Sequence, residues 1–195
     1  TKKGVSGEGG KFSINFKSTT LAEEVAFLPQ RQTRYGQGWA SGGVFKQFVY
    51  ENGAWGPEFD GTIGPVGLPL EDGSFRMYPY ETLGSDNIRE FFPTGFTHDN
   101  SISISGGNSD NGYASLSVNN KQRGFIVEGD ESKRTNVSLK AGKVFGNLSI
   151  DGSIQYIVTN IKRAGGNLYG DLLQGATNIK VEDFKDAGNT HWNGY

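Results

Sequence analysis

Two histidines, His98 and His191, and two short acidic pairs, Glu58 with Asp60 and Glu71 with Asp72, are the residues whose types could do chemistry in this chain. Paired carboxylates suit glycoside hydrolysis, where one donates a proton and the other attacks or activates water. A histidine suits proton transfer or metal binding. The bland roles are the commoner ones: loop carboxylates are abundant, and a lone histidine near a strand end is ordinarily surface decoration. The run Gly36-Gln37-Gly38-Trp39-Ala40-Ser41-Gly42-Gly43 has the glycine content of a phosphate cradle. Its spacing is wrong for one and no helix follows, so it reads as a flexible loop. No HExxH, GxSxG or P-loop pattern occurs. The absence of cysteine removes disulfides and thiolate metal sites. No catalytic residue, metal site, cofactor or enzyme activity is therefore expected.

The aromatic residues are the better candidates for binding. Tyr35, Trp39, Trp55, Phe59, Tyr78 and Tyr80 fall in one long irregular stretch, and Tyr169, Trp192 and Tyr195 in another. Sugar rings and peptide side chains stack on such faces, and Trp and Tyr are enriched at interfaces. The same rings could instead pack a long loop into a self-supporting unit. For any single residue the packing role is the commoner.

These stretches hang from a regular framework. Lys11–Ser18, Thr97–Gly106, Tyr113–Asn120, Arg134–Ala141 and Asn147–Thr159 all alternate apolar with polar residues, the pattern of strands with one apolar face. The second face is polar apart from Ile157. The connections alternate too. The links Gly107–Gly112, with its Asp110-Asn111-Gly112 turn signal, and Gly142–Gly146 are tight. The link over 19–96 is very long, Arg123–Lys133 is intermediate, and 161–195 is long and irregular. Short turns at one end of a meander and long loops at the other match bacterial outer-membrane barrels. An irregular connection as long as 19–96 counts against a compact soluble domain. Two short helices are expected in the loops: Asn87–Phe92, capped by Ser85 or Asp86 and stopped by Pro93, and Leu168–Gln174, ended by Gly175.

Composition agrees with this framework. Hydrophobic residues make up 34% and glycines number 30, but the 12% aromatic content is too high for a disordered chain. The net charge of −2 leaves no basic footprint for nucleic acid. No run of roughly 18 apolar residues exists to make a membrane-crossing helix, whereas barrel strands carry a weaker signal of about ten alternating residues. Asn136-Val137-Ser138 and Asn147-Leu148-Ser149 match the glycosylation pattern but sit in expected strands and read as chance. Barrels need at least about eight strands, and an open edge in lipid leaves backbone groups unpaired. Five strands are thus expected to be part of a larger barrel. The start at Thr1-Lys2-Lys3-Gly4, without an initiator Met, reads as a mature product or an internal piece.

In order along the chain, several segments resemble the start of the barrel of SusC/RagA-type TonB-dependent transporters of the Bacteroidota. Thr1-Lys2-Lys3-Gly4 looks like the end of that family's plug. Leu28-Pro29 with Tyr35-Gly36-Gln37-Gly38 resembles its "LP…YGQG", and Trp55-Gly56-Pro57 with Phe59-Asp60-Gly61 its "WGP.FDG". Asp86-Asn87-Ile88, Phe91-Phe92, Thr94-Gly95 and Asn100-Ser101 resemble "DNI..FF.TG…NNS", and Ser103-Ile104-Ser105-Gly106-Gly107 resembles "SVSGG". Gln122-Arg123-Gly124-Phe125-Ile126-Val127 is similar to "QEGIVP", with Glu128 where Pro is frequent. The likeness runs to about Asn160 and is loose from Lys162 to Tyr195.

The resemblance implies an all-β fold: an antiparallel meander forming part of a large transmembrane β-barrel of about 22 strands, with long extracellular loops. Residues 1–10 would end the plug or linker. Residues 11–160 would hold the first five strands, and 161–195 a long extracellular loop. Phe12, Ile14, Phe16, Ile102, Ile104, Leu116, Val118, Val137, Leu139, Ile150 and Ile154 would face outer-membrane lipid. Lys11, Lys17, Asp99, Lys140 and Asp151 would face the lumen or plug, or simply water. It further implies import of bulky nutrients (oligosaccharides or peptides), a SusD-like surface lipoprotein as lid, and TonB as energy source through a plug region. Tyr35, Trp39, Trp55, Phe59, Tyr78, Tyr80, Tyr169 and Trp192 would then be substrate or lid contacts. Two competing readings are a soluble carbohydrate-binding β-sandwich and a secreted glycoside hydrolase. Against both stand the order of loop lengths and the lack of a recognisable core outside the strands.

Overall fold

A computed structural model describes residues 12–49, 53–67, 69–84, 86–108, 112–164 and 168–185. In chain order the elements are β1 (Ser13–Glu23), β2 (Trp39–Ser41), β3 (Val44–Lys46), β4 (Ile63–Pro65), β5 (Met77–Pro79), α1 (Asp86–Phe91), β6 (Gly95–Asn108), β7 (Gly112–Gly124), β8 (Glu131–Phe145), β9 (Leu148–Lys162), α2 (Leu168–Gln174) and a 3-10 turn (Val181–Lys185). They divide into two compact units. One holds residues up to Glu24 together with Thr94–Arg163, and the other holds Val25–Pro93 with the stretch from Ala164 onward.

The first unit is one antiparallel sheet in the order β1-β6-β7-β8-β9, each strand beside the next long one in the chain. Its register produces continuous rows across all five strands. Ile14, Ile104, Leu116, Leu139 and Ile154 stand opposite one another, and the next row on that face is Phe16, Ile102, Val118, Val137 and Tyr156. On the opposite face the rows are Asn15, Ser103, Ser117, Ser138 and Gln155, then Lys17, Ser101, Asn119, Asn136 and Ile157. The alternation expected from sequence thus becomes an apolar face and a polar one. The apolar face is bare: Ile14 is 69% exposed, Ile154 70% and even central Leu116 41%. Among the described residues, none of the buried apolar side chains that form the core belongs to the sheet.

β6, β7 and β8 extend beyond their alternating segments at both ends, β9 runs three residues past Thr159 to Lys162, and β1 runs five residues further than expected, to Glu23 instead of Ser18. The extra length crosses the row Thr20, His98, Gln122, Lys133 and Asn160. On this row the face that is apolar over the strand middles is polar, so the hydrophobic period fades while the backbone ladder continues. At the tight-turn end, Gly146 and Asn147 join β8 to β9. Gly146 has φ of 58°, as the type II′ hairpin turn requires of its first central residue. The Asp110-Asn111 part of the other turn lies outside the described residues. Beside these turns Tyr113 lies over Gly142, whose added Cβ would come within 2.5 Å of the ring. The Tyr113 hydroxyl donates to Asp151 Oδ1 at 2.9 Å.

The second unit corrects the expectation that no core exists outside the strands. Val66, Tyr80, Ala176 and Ile179 form one buried cluster, packed by Ala54, Phe59 and Tyr78. Ile88, Phe91, Leu172 and Val181 form another, packed by Leu28, Phe92, Leu168 and Leu173. Both clusters draw on the two separate chain segments. The expected helices occur: α1 spans Asp86–Phe91 and α2 spans Leu168–Gln174, with Gly175 N–H donating to Asp171 O at 3.1 Å at its end. Gly36–Gly43 is not a flexible loop. Gly36, Gln37 and Gly38 are buried, and the rest begins a hairpin that pairs Trp39 with Lys46. Its turn, Gly42-Gly43, has φ of 61° and 76°, positive at both central residues as in type I′.

A candidate binding cleft in the second unit

Two of the motifs singled out in the sequence are built against each other. Gly36 N–H donates to Pro57 O at 3.1 Å, Gly56 N–H to Gly36 O at 2.9 Å, and Trp55 N–H to Gly38 O at 3.0 Å. The glycines are there because nothing larger fits. A Cβ on Gly56 would fall 2.2 Å from Gln37 O, and one on Gly36 2.5 Å from the Tyr80 ring. At Gly38, φ is 132° and a Cβ would fall 2.0 Å from Lys46 O. Gln37 between them is fully buried and satisfied. Its Oε1 accepts from Gly67 N–H at 2.9 Å, its own N–H donates to Asn178 Oδ1 at 2.9 Å, and its carbonyl accepts from the Tyr80 hydroxyl at 3.1 Å. Burial, reinforced by the charge of Asp60, pushes the Tyr80 phenol up to about 12. Asn87 at the start of α1 does similar work. Its amide donates to Ile179 O at 2.7 Å and its Oδ1 accepts from Val181 N–H at 3.0 Å.

This scaffold frames a cleft of about 470 Å³, within the usual range for small-molecule sites. Trp39 and Trp55 line it from the hairpin and the strap beside it, with Arg31, Gln30, Gln174 and Thr177. The Trp39 indole lies on Gly53, where a Cβ would be 2.1 Å from the ring. Gln32 braces the floor: its amide donates to Tyr35 O at 2.6 Å and Ala54 O at 2.8 Å, and its Oε1 accepts from the Arg34 and Tyr35 N–H groups. Arg31 Nη2 donates to Gly175 O, and burial pushes its guanidinium below its ordinary value. Thr177 is buried on the cleft wall, and its Oγ1 has no partner among the described residues. The cleft therefore offers flat aromatic faces, uncharged amides and one cation.

The eight aromatic candidates separate. Trp39 and Trp55 meet at the cleft and are 42% and 51% exposed. Tyr35 stacks on Phe45 with centroids 5.4 Å apart and contacts Trp55 at 5.9 Å, supporting the wall. Phe59 meets Tyr80 edge-on at 5.3 Å. Tyr80 is buried, and Tyr78 packs against the same cluster with Lys180 Nζ 4.7 Å above its ring. Tyr169 belongs to α2; its side chain and all of Trp192 lie outside the described residues. Of the acidic pairs, Glu58, Asp60 and Asp72 make local contacts. Glu58 pairs with Arg34 at 2.7 Å. Asp60 accepts from the Thr62 N–H and hydroxyl, which lowers its carboxyl, and Asp72 accepts likewise from Ser74. His98 Nδ1 lies 3.2 Å from the Thr20 hydroxyl on the sheet. His191 is outside the described residues. Arg31, Gln30, Gln174 and Thr177 were not anticipated. Arg31 and Gly175, joined by a hydrogen bond, belong to segments far apart in the chain, so no local pattern links them.

No protein-family model matches the chain, and no curated protein matches it.

Proposed function

We propose that these residues are the first five strands and the first long loops of a SusC-like, TonB-dependent outer-membrane importer of oligosaccharides or peptides. The observation that carries the reading is the bare apolar face of the sheet: five strands of 11 to 15 residues with uninterrupted apolar rows and, among the described residues, no core beneath them. Water penalises such a face at roughly 25 cal/mol per Å², whereas lipid accepts it. The opposite face, rich in Ser, Asn and Lys, suits a polar lumen filled by a plug. Further strands beside β1 and β9 would close the barrel and satisfy edges that lipid forbids. The long connections would lie outside the cell and the Gly146-Asn147 turn in the periplasm.

In this mechanism the second unit is a preformed capture surface. Substrate settles against it, a SusD-like lipoprotein closes over it, and TonB remodels the plug from the inner membrane. The residues of this chain supply wall and capture surface; the energy-coupling segment is elsewhere. The soluble β-sandwich alternative needs a second sheet over the apolar rows, and among the described residues none covers them. Cell fractionation tests the proposal. The polypeptide carrying these residues should be found in outer membranes, at a mass on the order of 90 kDa or more for about 22 strands, with heat-dependent mobility in detergent. A species near 21.1 kDa that dissolves without detergent would overturn it.

A further inference from the structure

We infer that the Trp39–Trp55 cleft binds a saccharide that carries a carboxylate, with Arg31 as the anion's partner and the indoles against the sugar rings. This rests on the importer reading for its role, and on the cleft alone for its chemistry. The charge pattern points to it. Arg31 is the only charged residue on the cleft wall among the described residues. It is half-buried, and its one described hydrogen bond goes to a neutral carbonyl, that of Gly175. Buried cations are ordinarily paired with carboxylates, and a guanidinium offers a planar fork suited to a carboxylate. A bound anion would complete this one.

The rest of the wall favours sugar over peptide. Two half-exposed indoles present flat faces, which suit the C–H face of a pyranose. Gln30 and Gln174 have side-chain amides with no hydrogen bond among the described residues, so each retains a donor and an acceptor for ring hydroxyls. A peptide would bring a terminal or lysine ammonium as readily as a carboxylate, and among the described residues the wall has no acidic group to receive one. Trp39 is held in place by Gly53 beneath it, and Trp55 by Tyr35 beside it, so the platform is preorganised.

The test is titration calorimetry on the intact detergent-solubilised protein. The probes are trigalacturonate, trimannuronate and a glucuronate-containing tetrasaccharide, each beside its methyl ester. At least one acid should bind, and its ester should bind at least about tenfold more weakly. Arg31→Gln should bring acid and ester to the same affinity while ester binding survives, an outcome that general unfolding would not give. Should Arg31→Gln fail to fold, Arg31→Lys keeps the charge without the fork and should retain a reduced preference for the acid. Binding of none of the three acids, equal binding of acid and ester, or displacement of the acid by a neutral-side-chain tripeptide at lower concentration would overturn the inference. The two readings fail separately. A heat-modifiable barrel that ignores all three acids loses only this inference; a detergent-independent soluble protein that binds them loses only the transport role.

Discussion

Leu116→Arg, in the middle strand of the five, probes the lipid-facing assignment most sharply. Leu116 stands between Ile104 and Leu139, with the Val118 row on one side and the Ala114 row on the other, all on the apolar face. An arginine at the midplane of a barrel's outer face costs about 2–4 kcal/mol, and near the interface about 0–1 kcal/mol. A band 25 Å tall crossed at 40° has a half-height of about 16 Å along the strand. Gln122, on the same face, is six residues from Leu116, about 20 Å along the strand, and falls outside the band. Ser117, one residue away, turns to the polar face between Ser103 and Ser138. Reversible urea unfolding of the intact protein in lipid vesicles should therefore show three outcomes. Leu116→Arg should shift the folding constant by roughly 30- to 900-fold, Gln122→Arg by less than about tenfold, and Ser117→Arg by little. Equal costs at Leu116 and Gln122, or a large cost at Ser117, would refute the reasoning. A soluble packed core would lack the dependence on depth.

Other consequences concern the second unit. Gly38→Ala places a Cβ against Lys46 O at a positive φ; it should cost about 1–3 kcal/mol from backbone strain alone and speed proteolysis within Val25–Pro93. Asn87→Ala removes the partners of both Ile179 O and Val181 N–H, a loss of about 2–4 kcal/mol, with faster hydrogen exchange at the Val181 amide. Tyr80 has its folded phenol raised to about 12 from 10.0. The folded state thus keeps its proton longer than the unfolded one, so its contribution is whole below pH 10 and is lost as pH rises toward 12. Protease resistance of the unit should fall across that window, and Tyr80→Phe should flatten the fall. Asp60 is shifted the other way, held low by Thr62. Its contribution is present above the ordinary carboxylate range and disappears as pH falls through its lowered folded value, so Asp60→Asn should weaken the acid dependence of that stability.

The sheet was legible because strand alternation is a period-two signal and each strand has one apolar face over its middle. Its ends were not, because the apolar face turns polar at the Gln122 and Lys133 row and only backbone hydrogen bonds mark the strands there. Both helices carried their stops in sequence, Pro93 and Gly175. The interior of the second unit was hidden for a different reason. Its centre is a glutamine between two glycines, and its apolar members come from stretches separated in the chain by β6 to β9, Val66 and Ile88 from one and Leu172 and Ile179 from the other. No periodicity joins such residues. The same gap separates the parts of the cleft. Trp39 and Trp55 stood out by type, whereas Arg31, Gln174 and Thr177 gain their meaning only from proximity.

The central claim is that the Leu116 face meets lipid and the Ser117 face meets water. The chain contains no cysteine, so single cysteines placed from Ser115 to Asn120 can each carry a nitroxide in the membrane-reconstituted protein. Collisions with oxygen and with a water-soluble nickel chelate then report the surroundings of each position. Labels at Leu116 and Val118 should favour oxygen, and labels at Ser115, Ser117 and Asn119 the chelate, in strict alternation. Labels at 116 and 118 shielded from both reagents would mean a packed protein core, and labels open to the chelate would mean water; either result contradicts a membrane-facing sheet.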